Sequence, residues 1–516
     1  MDTASPAAAG AAEIPAHAGA SLILAGLVLA AANFLVVLDT TIANVSVPNI
    51  AGGLAVSTSD GTWVITSYAV AEAITVPLTG WLAARFGSVK VFVAGMAGFG
   101  LFSFLCGLAP SLGALVAFRV LQGLCGGPLI PLSQTLLLRV FPARHAAAAT
   151  GLWAMTTLTA PIAGPILGGV LCDNIGWSSI FWINVPIAGV CAWAAWSLLR
   201  RCETPTRKAR IDAVGLALLI VWVAALQTML DLGKDRDWFQ SATIVALGLT
   251  ALIGFAAFVI WELTEANPIV DLRVFRHRGY SAAVFTLCIG FGAFFGTVVL
   301  TPLWLQQNLG YTATWAGLAT APLGVAAVMA APVAAALSTK VDVRRLVCLG
   351  LAWMAFITLI RSQADSQMGF WEISRWLFAQ GFGMPLFFVP LTGLALASVA
   401  VEETASAAGL MSFCRTFSGA IATSLVTTVW ENGASRDHDD LSGLLRGAGA
   451  QVDRLVRHGF GPHQAAGIVN QLVQSQSVML ATNQVFMTLA ILFLLACLAV
   501  WLAPRPTRLA AGVAAH

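Results

Sequence analysis

Four ionisable residues, Asp39, Glu72, Arg119 and Arg415, lie deep inside long apolar runs. A charge at mid-bilayer costs about 2.5–3.5 kcal/mol on insertion scales, so one that is kept marks a candidate site. Asp39 and Arg119 are each about seven residues from the same end of their runs, roughly 10 Å deep at 1.5 Å per residue, and opposite in sign. A carboxylate that alternates between a proton and a basic partner can couple proton flow to transport, because apolar surroundings oppose its charge while Arg119 favours it. A static pair that fixes helix orientation is the competing reading. Glu72 is a second protonation site, a recognition point for cations, or a carboxyl held neutral by burial. Arg415 is either structural, bonded to helix ends or carbonyls, or part of a substrate cavity. Arg375, beside Glu372 at the end of a run, is explained by snorkelling to the interface.

Other chemistries find no support. The seven histidines lie in tails and loops without metal-ligand spacing, so no metal is expected. The nine cysteines show no CxxC pair, and most sit in apolar runs as small packing residues. There is no nucleophile with its base at one depth, as an enzyme would need. No Walker-type GxxxxGK[ST] occurs, which leaves a proton gradient as the expected energy source and no cofactor.

The elements that must carry these residues follow from composition. The chain has 516 residues, 58% hydrophobic and 10% charged, with a net charge of +3. Soluble proteins average about 25% charged residues. That excludes a cytosolic enzyme, a nucleic-acid binder and a disordered chain, and points to an all-α integral membrane protein embedded in a lipid bilayer. Fourteen runs are predicted as membrane helices, near 22–46, 62–83, 91–109, 112–136, 149–171, 180–199, 212–231, 241–262, 281–305, 314–337, 346–361, 372–397, 404–430 and 480–502. With the N-terminus inside, 17 Lys and Arg fall in cytoplasmic segments, against three (Lys234, Arg236, Arg361) in short outer loops.

Gln122-Gly123 recurs as Gln380-Gly381, and Gly151-Leu152 as Gly409-Leu410, both at an offset of 258. Pro77, Arg85 and Lys90 recur as Pro332, Lys340 and Arg345 at an offset of 255. Two parallel six-helix halves with two extra helices between them are a transporter architecture, with substrate bound between halves that rock. The predicted organisation is a cytoplasmic tail (1–21), an N-terminal six-helix bundle (22–200), a linker with two helices (201–270), a C-terminal six-helix bundle (271–503) and a cytoplasmic tail (504–516). The hydrophilic insert 431–479 carries Leu441, Leu444, Leu445, Val452, Leu455 and Val456 at the spacing of an amphipathic helix, read as a solvated cap or a docking surface. The fifth run holds Pro161, Gly164, Pro165, Gly168 and Gly169, a combination that suits close helix approach and a bend, hence a hinge or seal.

Several ordered motifs carry a family resemblance. They are Leu38-Asp39-Thr40-Thr41-Ile42-Ala43-Asn44-Val45, the loop Gly80-Trp81-Leu82-Ala83-Ala84-Arg85-Phe86-Gly87-Ser88-Val89-Lys90, Arg119-Val120-Leu121-Gln122-Gly123, Gly164-Pro165-Ile166-Leu167-Gly168-Gly169 and Phe181-Trp182-Ile183-Asn184-Val185-Pro186. From about residue 30 to 505 the chain resembles the major facilitator superfamily, and more closely its fourteen-helix drug:proton antiporters of the EmrB type. The resemblance implies proton coupling through Asp39 and Arg119. It implies an antiporter seal at Gly164, Pro165, Gly168 and Gly169, and a cytoplasmic gate at Gly80, Arg85, Gly87 and Lys90. The superfamily often has an acid where this chain has Ala84, so Arg85 needs a different partner or none. The segment Gly459–Gly467 resembles the last external loop of pumps that work with a periplasmic membrane-fusion adaptor and an outer-membrane channel, which implies the bacterial inner membrane and those partners.

The expected function is proton-driven export of hydrophobic toxic compounds. The alternatives are a dedicated exporter of one metabolite, such as a fatty acid or siderophore, and, from other classes, a membrane scaffold or enzyme. The 28 Phe and 17 Trp, against 3 Tyr, suit a hydrophobic cavity. Candidates to line it are Asn44, Trp63, Tyr68, Gln122, Trp153, Phe291, Phe294, Phe295 and Arg415.

Overall fold

The computed structural model describes residues 20–142, 145–206, 211–233, 236–400, 403–444, 448–458 and 460–504. Every regular element among them is a helix. The first half comprises α1 (Ala20–Gly53), the one-turn α2 (Thr58–Gly61), α3 (Trp63–Thr75), α4 (Thr79–Phe86), α5 (Ser88–Gly107), α6 (Leu112–Gly126), α7 (Leu129–Val140), α8 (Ala146–Asn174), α9 (Ser179–Trp182) and α10 (Asn184–Leu199). Then come α11 (Ala213–Leu232) and α12 (Ala242–Thr264). The second half comprises α13 (Arg278–Gln307), α14 (Ala313–Ser338), α15 (Val343–Arg361), α16 (Phe370–Gly381), α17 (Gly383–Ala397), α18 (Thr404–Leu444), α19 (Ala448–Arg457) and α20 (Pro462–Ala499).

Eleven helical segments are long and apolar enough to cross a membrane, or twelve if the bent α8 counts as one span. The two other expected runs fall on α3–α4 and on α18, which carries Arg415 and many small polar residues. Breaks follow proline, which lacks the amide a helix interior needs. Pro77 separates α3 from α4, and Pro128 separates α6 from α7. In α8 the segments Ala148–Pro161 and Ile166–Cys172 meet at 46°, the bend expected of Pro161 and Pro165. The side chain of Pro165 lies outside those described.

The duplicated glycines do matching work in each half. A Cβ on Gly123 would lie 2.6 Å from the Tyr68 carbonyl oxygen, so α6 packs backbone-close on α3; in the second half Gly381 abuts the Leu323 carbonyl and brings α16 onto α14. The other pair joins the halves. Gly151 of α8 faces Ala335 of α14 (3.2 Å), and Gly409 of α18 faces the Val76 carbonyl at the end of α3 (2.9 Å). The extra pair α11–α12 also bridges. Trp222 of α11 meets Phe413 and Phe417 of α18 at 5.8 and 5.6 Å, and Ser424 donates to the Leu230 carbonyl (2.9 Å).

The structure differs from the sequence-based expectations at three points. Arg361 is not a loop residue: it ends α15 with only 5% exposure and donates to Gln380 Oε1 (2.6 Å) and to Thr301 Oγ1. Its three-carbon stem lets a residue at the end of a run turn back into the bundle. Cys348 and Cys497 are joined as a disulfide between α15 and α20, rather than packing as separate thiols; a separation of 149 residues leaves no local spacing to signal it. The insert 431–479 is not a loop, because α18 runs on to Leu444 and α20 begins at Pro462. The two extensions are clasped where Trp430 donates to Thr482 (2.8 Å) and Gly433 packs on Ala481 (3.3 Å). The expected amphipathic helix is divided: Val452, Leu455 and Val456 lie in α19, Leu441 and Leu444 in α18, and Leu445 outside the described residues.

Gly123→Val is expected to force α6 off α3. Overpacking of this kind costs about 1–3 kcal/mol, read as a lower melting temperature of the purified protein in detergent.

Candidate proton-coupling and substrate site

Asp39 and Arg119 meet. Arg119 Nη1 is 2.6 Å from Asp39 Oδ2, and both side chains are about 1% exposed. The spacing of Asp39 on α1 turns it away from lipid, between the buried Leu38 and Ile42. Gly123 and Gly126 keep α6 close enough to α3 for Arg119 to reach across. The guanidinium also donates to Gln122 Oε1 (2.8 Å) and, through Nε, to the Val64 carbonyl (3.1 Å). It lies over the Tyr68 ring at 4.1 Å and near the Phe181 ring at 5.6 Å. The other carboxylate oxygen, Asp39 Oδ1, accepts from Asn184 Nδ2 (2.6 Å) and Gln122 Nε2 (3.2 Å). Asn184 in turn donates to Ser103 Oγ (3.1 Å). Both carboxylate oxygens of Asp39 accept hydrogen bonds, which is what a buried charge pair requires.

Gln122 and Tyr68, expected in the substrate cavity, therefore belong to this charge network. Asn184, Ser103 and Asn33 are buried polar residues that join this region and were given no role from the sequence. Asn33 joins α1 to α8 by donating to Thr156 (2.8 Å) and Thr157 (2.7 Å). For Ser103 and Asn33 the signal is a polar residue in an apolar run; Asn184 also sits in the motif Phe181–Pro186.

The glycine run sits beside the pair. A Cβ on Gly164 would overlap the Thr41 side chain, and one on Gly168 would lie 3.3 Å from the Ile42 carbonyl, so α8 lies flat on α1 two residues from Asp39. Gly169 faces Thr314 of the second half at 3.7 Å.

The aromatic candidates divide. Phe291, Phe294 and Phe295 cluster, with Phe291 and Phe295 4.9 Å apart, and Phe291 reaches Phe388 at 5.7 Å. Phe388 stacks on Trp153 at 5.9 Å and 12°, across the two halves. Arg415 is 4% exposed within this group. Trp63 is 38% exposed at the start of α3 and Asn44 is exposed on α1; neither joins the cluster. Glu72 is buried on α3, one turn beyond Tyr68. Arg375 pairs with Glu372 at 2.8 Å on the surface, as snorkelling requires.

At the end that carries the basic residues, a Cβ on Gly80 would lie 2.9 Å from Ser406 Cα, so α4 and α18 are in backbone contact there. Gly87 has φ +96°, and a Cβ on it would strike the carboxylate of Glu203. Glu203 accepts from the amides of Val89 and Lys90, both at 3.0 Å, and so caps α5 from beyond α10. The acid missing at Ala84 has a counterpart in this loop, supplied 119 positions later in the chain. Arg85 ends α4 half-buried, and the Lys90 side chain is exposed. In the corresponding loop of the second half, hydrogen bonds from Arg344 hold the Asp342 carboxyl below its ordinary range.

A family model described as Major Facilitator Superfamily matches residues 29–423. The chain belongs to the major facilitator superfamily. Within that superfamily it is 43% identical to the multidrug export protein EmrB of Escherichia coli K12, over 95% of this chain and 96% of that protein. It is also 43% identical to the fatty acid resistance protein FarB of Neisseria gonorrhoeae, over 96% of this chain and 98% of that protein. Among solved structures, the human organic anion transporter MFSD10 superposes with a TM-score of 0.56 at 13% identity, covering 93% of this chain and 99% of that one, a likeness of fold alone. The superfamily fold accounts for the paired halves, and the EmrB-type relatives share nearly the whole length.

Glu203→Ala removes the acceptor for two amides at the start of α5. The expected loss is about 1 kcal/mol of stability, as for other N-terminal caps, seen as a lower melting temperature that Glu203→Asp partly restores.

Proposed function

We propose that the protein is a proton-driven exporter of hydrophobic toxic compounds across the bacterial inner membrane. The observation that carries this reading is the buried pair of Asp39 and Arg119. When Asp39 takes a proton the ion pair is lost, but neither residue is stranded. Arg119 keeps Gln122 Oε1, the Val64 carbonyl and the Tyr68 ring, and the protonated carboxyl remains within reach of Gln122 and Asn184. Both protonation states are thus accommodated, and the helices α1, α3, α6 and α10 that hold them are the ones whose positions change if the halves rock. The identity to EmrB over nearly the full length supports multidrug export.

The basic end is assigned to the cytoplasm, with both termini there and fourteen spans in all. The α4–α18 contact at Gly80 then closes the cytoplasmic side, and the glycine run of α8 seals against α1 and α14. The paired extensions of α18 and α20 project on the periplasmic side, where they offer a docking surface for a membrane-fusion adaptor that leads to an outer-membrane channel. A narrower reading, export of one metabolite such as a fatty acid, is favoured by the equal identity to FarB. A panel of hydrophobic cations, anions and neutral compounds in proteoliposomes with an imposed pH gradient separates the two.

Asp39→Asn is expected to abolish proton-coupled efflux while the protein still reaches the membrane. Wild-type efflux with unchanged proton movement would reject the coupling role. Deletion of 441–470 should reduce co-purification with an adaptor more than it reduces transport across the inner membrane alone; undiminished co-purification removes the docking role.

A further inference from the structure

Arg415 is a buried cation that the coupling network does not use. Its guanidinium carbon lies 5.3 Å from the Trp153 ring, 5.5 Å from Phe291 and 5.9 Å from Phe388. Among the described residues it makes no hydrogen bond and no ion pair within 4 Å. Arg119 and Arg361, by contrast, each donate to side-chain or backbone oxygens. Ring faces attract a cation, but less strongly than loss of water penalises it, so three rings alone leave the charge uncompensated.

Glu72 of α3 is 5% exposed and also without a side-chain hydrogen bond. A Cβ on Gly409 of α18 would lie 2.9 Å from the Val76 carbonyl, one turn beyond Glu72, so the helices carrying Arg415 and Glu72 meet here. No ion pair within 4 Å joins the two side chains. Glu72 and Trp153 belong to the first half, and Arg415, Phe291 and Phe388 to the second. Parting the halves at this level takes Glu72 and Trp153 away from Arg415 and leaves it with Phe291 and Phe388, a cation on an aromatic floor.

We propose that Arg415 with Phe291, Phe388 and Trp153 is a binding site for the anionic head group of a lipophilic acid, and that Glu72 is the carboxylate this head group displaces. The inference rests on the exporter reading and names a substrate class for it. A guanidinium holds a carboxylate by two parallel hydrogen bonds, and the rings take the first carbons of the apolar body. Once a substrate anion occupies Arg415, Glu72 has lost its counter-charge.

The test is a binding measurement without a pH gradient, so its outcome is independent of proton coupling. The full-length protein in lipid nanodiscs is titrated with dansyl-labelled undecanoic acid and with the methyl ester of the same probe. The acid is expected to bind about tenfold or more tighter than the ester. Arg415→Gln should abolish that preference, Arg415→Lys should keep part of it, and Glu72→Gln should tighten acid binding. If Arg415→Gln does not fold, the acid-to-ester ratio of the wild type and the direction of the Glu72→Gln effect decide. Equal binding of acid and ester, an unchanged ratio in Arg415→Gln, or weaker acid binding in Glu72→Gln would each overturn the proposal.

Discussion

An aspartate and an arginine in contact at 2.6 Å, both sealed from solvent, place a strict demand on everything around them. Each charge has lost its hydration, and the loss is recovered only if the pair is close and the remaining donors and acceptors are met. Removing one partner from such a pair typically costs about 3–5 kcal/mol, because the other is left charged in an apolar interior. Here the demand is met by residues on α3, α6 and α10, with α5 holding Asn184 in place through Ser103. Helix positions in the first half are therefore tied to this one pair. In the second half, Gln380 occupies the place of Gln122 and binds Arg361. Among the described residues no acid pairs with Arg361, so the titratable element lies on one side of the pseudo-twofold only.

The contacts between the halves are of a different kind. Gly151 on Ala335, Gly409 on the Val76 carbonyl and Gly80 on Ser406 bring helices to near-backbone distance without polar ties. Dispersion at such contacts is short-ranged, so it falls away quickly once the helices part. Trp153 on Phe388 adds a ring contact of the same character. Rocking then breaks many weak contacts at the interface while the strong hydrogen bonds stay inside each half.

Much of this was legible in the residue order. The depth match of Asp39 and Arg119 follows from helical rise alone, and the offset of 258 anticipates the parallel duty of Gln122 and Gln380. Proline positions anticipate the break after α3 and the bend in α8. The partners of the pair were harder to read. Asn184 reaches Asp39 because α10 happens to lie beside α1, which no local spacing records. Glu203 caps α5 because the chain beyond α10 returns to Gly87, and only a positive φ at a glycine hints at the space it fills. Arg361 looked like a loop residue because its position in the run says nothing about which way a long side chain bends. The length of α18 was obscured by its polar residues, which suit a helix outside the bilayer as well as a loop.

The paired extensions of α18 and α20 have a mechanical consequence. Residues 431–444 add about 20 Å of helix beyond the apolar stretch, at 1.5 Å per residue. Because α18 and α20 are unbroken from the bundle outward and clasped at Trp430 and Gly433, they form a stiff outrigger on the second half. Any tilt of that half sweeps the tip through an arc set by the arm's length, so a partner seated there would feel the transport cycle as a push.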